Sequence, residues 1–476
     1  MKRLPQTIAS TCAALALVAT SAAADAATPE RMAFRELFRE LVETNTTLSV
    51  GSCTAAAGKM AAHLRAAGMP ESDIHLFSTP DHPQEGGLVA VLPGSDAQAK
   101  PMLLLAHIDV VEAKREDWTR DPFTLVEENG FFYARGVADD KAMAAIWVDT
   151  MLRFLGGEFR PKRTVKLALT CGEETSGAFN GAQYLSTQQR PLIDAAFALN
   201  EGAWGMLDEN GKRIMLSIQA GEKTSQNYQL EVTNAGGHSS RPVKDNAIYH
   251  LSAGITRVGD HEFPIQLSDT TRSYFTRMAA IIGGEMGAAM KALAANPADN
   301  KAVATVTADP SYNAMLRTTC VATMVNAGHA TNALPQRARA NVNCRIYPGT
   351  STEDVRKTLE KVVADPAIAV TIPEVRGPAT KAPPMTPAIM RPFEEVAAKV
   401  FPGIPVVPIL QAGATDAQFL GAAGIPTYGV GGLFFEHDLG GVHGLNERMR
   451  VVSLYDGRDF LFELVKRYAG DTGQAP

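Results

Sequence analysis

Apolar side chains recur at helical spacing over residues 28–67, with Phe34, Leu37, Phe38 and Leu41 on one face, and the pattern stops at Gly68. Beyond it, short apolar runs alternate with helical segments. Residues 88–92, 102–106, 164–170 and 195–199 read as buried strands, each closed by polar or glycine-rich positions. A strand apolar on both faces needs helices on both sides, so the alternation predicts an α/β domain. In such sheets ligands bind outside the carboxyl ends of the strands, which makes the residues directly after these runs the first place to search for chemistry.

Near Gly221 the period changes. Tyr228, Leu230 and Val232 alternate with polar residues, a helical stretch covers 272–295, strand-like runs cover 318–325 and 337–346, and a helix covers 351–363. These elements form an α+β unit. The proline-rich stretch 377–387 then returns the chain to α/β texture through 388–469, so the second unit is read as an insertion in the first. The predicted organisation is 27–220 and 379–476 for the α/β domain and 221–378 for the insertion.

The first 26 residues carry Lys2 and Arg3, an apolar stretch over 13–19 and a run of small residues ending at Ala26, the pattern of a signal peptide. It predicts export to the periplasm or the exterior. The apolar stretch is shorter than the roughly 20 residues that span a bilayer, and no later run reaches that length, so no membrane span is expected. The 476 residues carry 45 basic and 51 acidic side chains without a long run of either sign, which gives no support to a nucleic-acid-binding surface. Of five cysteines, Cys12 falls in the signal segment. Cys53, Cys171, Cys320 and Cys344 allow three pairings or none, and Cys320 meets Cys344 if their two strands pair.

Chemistry concentrates after the predicted strands. The run 103–106 delivers His107 and, two residues on, Asp109, and a carboxylate beside an imidazole can fix its tautomer for metal binding. Asp139 and Asp140 follow Gly136 and precede a helical run; helix capping explains one acid of such a pair, and two side by side repel unless a cation lies close. Glu173 and Glu174 follow the run 164–170, Glu201 follows 195–199, and His443 sits in a glycine-rich loop near the end of the chain. Two imidazoles among carboxylates suit zinc, with cobalt or manganese as substitutes; an all-carboxylate site would suit magnesium or calcium.

In this order these segments resemble the co-catalytic zinc peptidase family of aminoacylase-1, glutamate carboxypeptidase and succinyl-diaminopimelate desuccinylase. The resemblance implies a catalytic α/β domain with a central mixed sheet and an inserted α+β lid of the dimerisation type. It implies two zinc ions per chain, one on His107, Asp139 and Glu201, the other on His443, Glu174 and the bridging Asp139. Glu173 would be the general base, Asp109 the orienting acid, and the Asp139–Asp140 peptide would be cis.

From the lid, His238 in Gly236-Gly237-His238-Ser239-Ser240 would stabilise the oxyanion, while Asn332 and Arg345, thirteen positions apart, would grip a substrate carboxylate. Gly413 belongs to a loop that approaches the substrate terminus. Ala134 and Ala414 stand where glycine is usual, and Glu112 where proline is frequent.

The expected reaction is hydrolysis of a peptide or N-acyl amide bond beside a free carboxylate, on a small peptide or N-acyl amino acid. A dipeptidase or desuccinylase of the same family shares every metal residue. A non-catalytic periplasmic binding homologue would have no use for Glu173, and a glycosidase with paired carboxylates has no place for two histidines. A homodimer through the lid is compatible with the resemblance, although the stretch 265–312 enlarges the lid enough to replace a partner.

Overall fold

A computed structural model describes residues 28–470, except 176–178, 375–376 and 380; the signal peptide read in residues 1–26 lies outside the described residues. The predicted buried strands form as Met102–His107, Val165–Thr170 and Phe197–Asn200, every residue of them buried. Their alternate side chains feed two separate cores. Leu104, Ala106, Leu167, Leu169 and Leu199 join one, packed under helices Pro29–Glu43, Cys53–Ala66, Lys141–Leu155 and Val451–Gly470. Leu103, Leu105, Ala168 and Ala198 join the other, beneath helices Gly181–Gln188 and Ala417–Ala422. This two-sided burial is what the unbroken apolar runs require.

The three strands are parallel and adjacent, with Met102–His107 between the other two, at the centre of a ten-stranded mixed sheet. Antiparallel strands Ile74–Thr79 and His82–Leu92 close one edge. On the other side the order runs through Thr427–Val430, Arg213–Glu222, Gly205–Leu207 and Phe434–Phe435, with Val406–Gln411 also paired to Arg213–Glu222. Burying a side chain such as Phe38 or Leu41 in these cores contributes about 1.5–3 kcal/mol.

The helical stretch predicted over 28–67 is two helices separated by the loop 44–52. The second ends in Gly68, whose φ of +93° supplies the left-handed residue that closes many helices. The stretch 272–295 is likewise two helices, Asp269–Ile282 and Gly284–Ala295, because Gly283 and Gly284 both take positive φ.

Residues 224–371 build a second, four-stranded antiparallel sheet in the order Thr319–Ala327, Arg337–Ile346, Thr224–Thr233, Ala369–Thr371. Along Thr224–Thr233 burial alternates strictly, with Tyr228, Leu230 and Val232 inward against helices Ala247–Asp260 and Thr352–Val363, so one face of this sheet stays open. The helices within 269–316 do not lie on that sheet. Phe275, Met278, Met290 and Leu316 pack instead with Met215, Val407 and Ile409 of the ten-stranded sheet.

Two disulfides form, Cys53–Cys171 and Cys320–Cys344, the second between directly paired residues of the lid sheet. Among the described residues no helix is long and apolar enough to cross a membrane.

Candidate active site

His107 ends the central strand, Glu173 and Glu174 follow the strand on one side of it, and Glu201 follows the strand on the other. Parallel pairing therefore brings three segments, 94 residues apart at the extremes, to one rim of the sheet. Asp139 joins them from the loop ahead of helix Lys141–Leu155, and His443 from a loop rich in positive-φ residues.

The imidazole of His107 is buried, its Nδ1 lying 3.1 Å from the Asp109 carbonyl oxygen and 3.5 Å from Asp109 Oδ1. A proton held at Nδ1 leaves Nε2 as the acceptor facing the cleft. That Nε2 is 3.0 Å from Asp139 Oδ1 and 3.9 Å from Glu201 Oε1. The other oxygen of the same aspartate, Oδ2, is 3.1 Å from His443 Nε2, which also stands 2.9 Å from Glu174 Oε2. One carboxylate thus faces two imidazoles. Two sets of donor atoms converge within 4.8 Å: His107 with Glu173 and Glu201, and His107 with Asp139 and Glu174.

Asp109 does more than face His107. Its two carboxylate oxygens accept the backbone N–H groups of Glu173, at 3.4 Å, and Glu174, at 3.0 Å, so it also holds the turn that presents both glutamates. The Asp139–Asp140 peptide is cis, as the resemblance implied. Asp140 precedes the helix without capping it through its side chain, and its buried Oδ2 has no hydrogen-bond partner among the described residues.

Burial raises the carboxyl groups of Asp140, Glu173, Glu174 and Glu201 above their ordinary range, and their acidic neighbours push in the same direction. Asp139 goes the other way: against burial, its bonds to His107 and His443 hold it below that range. Crowded carboxyl groups of this kind are relieved by a cation, and two imidazoles among carboxylates are a zinc-type donor set. The residues fit the metal that the resemblance implies.

The lid residues sit apart from this cluster. His238 is exposed and pairs with Ala333 in a two-stranded ladder, and Ser239 donates its N–H to the carbonyl of Asn332, so His238 and Asn332 are neighbours. His238 Nδ1 lies 2.8 Å from Ser240 Oγ. Among the described residues, no hydrogen bond joins His238 or Asn332 to the cluster. Arg345 is half-buried on Arg337–Ile346 opposite Ser225, and close enough to Lys223 to help burial lower that ammonium to about 7. Gly413 lies in the loop after Val406–Gln411, where a Cβ would meet only ordinary contact, 3.7 Å from Cγ of Gln411.

Several supporting groups escaped the sequence reading. Asp416, in the loop of Gly413, accepts from Thr170 Oγ1 at 2.9 Å and from Asn180 Nδ2 at 2.7 Å, and Asn180 also donates to the Gly172 carbonyl beside Glu173. Glu447 is fully buried against the loop of Asp139. Asp416 lies three residues beyond Gly413 and Glu447 four beyond His443, whereas nothing in the sequence marks Asn180.

Acids and imidazoles gathered at parallel strand ends, sharing one aspartate, define a metal-dependent hydrolase. The profile described as Peptidase family M20/M25/M40 matches residues 103–467, and the chain belongs to that family. An N-fatty-acyl-amino acid synthase/hydrolase of Homo sapiens is 30% identical over 394 residues, covering 81% of this chain and 77% of the human one. Among solved structures, an M20 family metallo-carboxypeptidase from Sulfolobus solfataricus superposes with a TM-score of 0.68 at 20% identity, covering 93% of this chain and all of the other. A dinuclear metal binding peptidase of the same family from Bacillus subtilis gives 0.57 at 13% identity, over 91% of this chain and 97% of its own. The central mixed sheet and the inserted unit are the architecture expected, and the protein is a hydrolase of peptide or N-acyl amide bonds.

Proposed function

We propose that the protein is an exported carboxypeptidase or N-acyl-amino-acid hydrolase that binds two zinc ions and cleaves an amide bond beside a free carboxylate. The observation that carries the two-metal reading is Asp139, with Oδ1 3.0 Å from the imidazole of His107 and Oδ2 3.1 Å from that of His443. His107, Asp139 and Glu201 would hold one ion, and His443, Glu174 and the shared Asp139 the other. Zinc at such a site supplies a water whose pKa falls towards about 7 and a polarised scissile carbonyl.

Glu173 takes the proton of the attacking water and delivers it to the leaving nitrogen. It stands at donor distance from His107 and Glu201, so its role as base and not ligand rests on the resemblance. Asp109 fixes the tautomer of His107 and, through the N–H groups of Glu173 and Glu174, the aim of the base.

Residues 221–378 act as the lid over the catalytic segments 27–220 and 379–476. His238 donates to the oxyanion, and Asn332 and Arg345 hold the substrate carboxylate, for which a planar guanidinium is suited, with Gly413 leaving room for the substrate terminus. The human relative's action on N-fatty-acyl amino acids and the description of the Sulfolobus structure as a carboxypeptidase support this substrate class.

Two disulfides support an oxidising compartment, in keeping with the signal peptide read in residues 1–26. A homodimer through the lid is supported by the edge strand Thr319–Ala327, which turns Val321, Met324 and Val325 to solvent; the helices of 269–316 pack elsewhere and leave that edge open.

The test is a panel of N-acyl amino acids, their carboxamides and unblocked dipeptides, assayed with and without chelator. Chelator-sensitive turnover confined to substrates with a free carboxylate is expected. Equal turnover of the carboxamides would remove the carboxylate from the reading.

A further inference from the structure

His107 and His443 are placed by different means. His107 is buried at the end of a strand and is fixed by the sheet. His443 has a side chain 55% exposed, on a loop containing Gly440, Gly441 and Gly444, and little packs around its ring. Its own φ is +62° and that of Asn446 is +56°, a backbone region that residues other than glycine seldom adopt. A ligand of this sort is located by whatever holds its backbone.

We propose that Glu447 is a positioning residue whose carboxylate clamps the loop of His443 onto the loop of Asp139 and thereby completes the second ligand set. Four residues beyond His443, Glu447 is entirely buried. Its Oε1 accepts the backbone N–H groups of Ala138 at 2.9 Å and Asp139 at 3.2 Å. Its Oε2 accepts the N–H of Gly136 at 2.9 Å and Nη1 of Arg135 at 2.8 Å.

Arg135 closes the clamp from the other side, its Nη2 donating to the carbonyl of Gly444, the residue after His443, at 2.8 Å. The guanidinium lies over the ring of Trp118, 5.0 Å from its centroid, which fixes its plane. Thus a single carboxylate is bonded to the N–H of the shared aspartate itself, and its partner arginine is bonded next to the second histidine. No other ligand loop depends on this contact: His107, Glu174 and Glu201 follow strands of the sheet.

The inference rests on the two-metal reading, and its test separates the two. Metal-stripped wild type, Glu447→Gln, His443→Ala and the double variant are titrated with zinc by calorimetry, with circular dichroism and thermal unfolding alongside. Glutamine keeps the shape but loses the charge and turns an NH₂ group towards donors. Wild type is expected to bind in two steps. Glu447→Gln should weaken one step at least tenfold and the other, which shares Asp139, by a clearly smaller factor; the step lost in His443→Ala should be the same one, and the double variant should show no further loss at it.

A merely structural role would lower the unfolding temperature with both steps unchanged or weakened by one factor, and either result overturns the clamp. Wild type that binds fewer than two ions overturns the two-metal reading and the clamp with it; two ions in wild type and in Glu447→Gln, with equal affinities, overturns the clamp alone. Should Glu447→Gln fail to fold, Arg135→Gln breaks the same contact and is judged by the same pattern.

Discussion

The strand end that carries His107 and the lid hairpin that carries His238 hold an imidazole in opposite ways. His107 is buried at the end of a strand, with Nδ1 at Asp109, whose carboxylate also holds the turn of Glu173 and Glu174, and Nε2 at Asp139. His238 is exposed, and among the described residues its Nδ1 meets only the backbone N–H and hydroxyl of Ser240, two positions on. The contrast extends to the neighbours of each. Around His107, buried carboxyl groups are packed at a cost that a cation would remove; beside His238, Asn332 directly precedes the partner strand of the short ladder and, among the described residues, has no hydrogen bond to the cluster. On the proposed reading, the centre that gathers cations and a base is built into the rim of the sheet, and the group proposed to meet the oxyanion sits on an exposed hairpin.

That division can be broken by substitution, and the largest effect belongs to the rigid half. Glu173→Gln should lower kcat by up to about 10⁴-fold with zinc content unchanged, since only the proton transfer is removed. Loss of metal in that variant would make Glu173 a ligand. In the lid, His238→Ala should lower kcat by about 10²- to 10³-fold at nearly constant KM, because the oxyanion exists only near the transition state. A rise in KM with kcat unchanged would assign His238 to the ground state.

Arg345→Ala should raise KM by roughly 10- to 100-fold for substrates with a free carboxylate. An equal rise for the carboxamides would refute the grip.

The smallest effect lies at the junction of the two sheets, where Glu222 ends one strand and Lys223 precedes the next. Burial pushes the Glu222 carboxyl from 4.5 up to about 8 although Thr415 and Gln219 donate to it. The folded chain keeps a proton there that the unfolded chain releases, so this group makes stability fall as pH rises from about 4.5 to about 8. Lys223, brought down from 10.5 to about 7, acts in the opposite sense between those values. Glu222→Gln should therefore flatten the fall measured by urea unfolding, by at most about 1.4 kcal/mol per pH unit. An unchanged slope relative to wild type would place the carboxyl in its ordinary range.

The half that was easiest to read in the sequence is the rigid one. Runs such as 102–106 state both their strand character and their two-sided burial, and a strand end is a local address for His107, Glu174 or Glu201. Alternation at Tyr228, Leu230 and Val232 announced the second sheet equally well, because one-sided burial leaves a period of two.

What could not be read depends on contacts between distant residues. The helices of 269–316 are amphipathic in either environment, and only the tertiary structure sends Phe275 and Met290 to Val407 and not to the lid sheet. Cys53 and Cys171 are 118 positions apart and meet because a helix start packs beside a strand end. Glu447 reads as a solvated loop acid until the loop of Asp139, some 300 residues earlier, closes over it. In the same way, nothing in the pair itself distinguishes Glu173 from Glu174, and only in the fold does His443 stand beside the second of them.

The most direct test is zinc titration of metal-stripped protein, following hydrolysis of an N-acyl amino acid at each addition. Activity should be absent without metal, reach its maximum at two equivalents per chain and stay absent in Glu173→Gln at full occupancy. Maximal turnover at one equivalent, or turnover by fully loaded Glu173→Gln equal to that of wild type, would contradict the account.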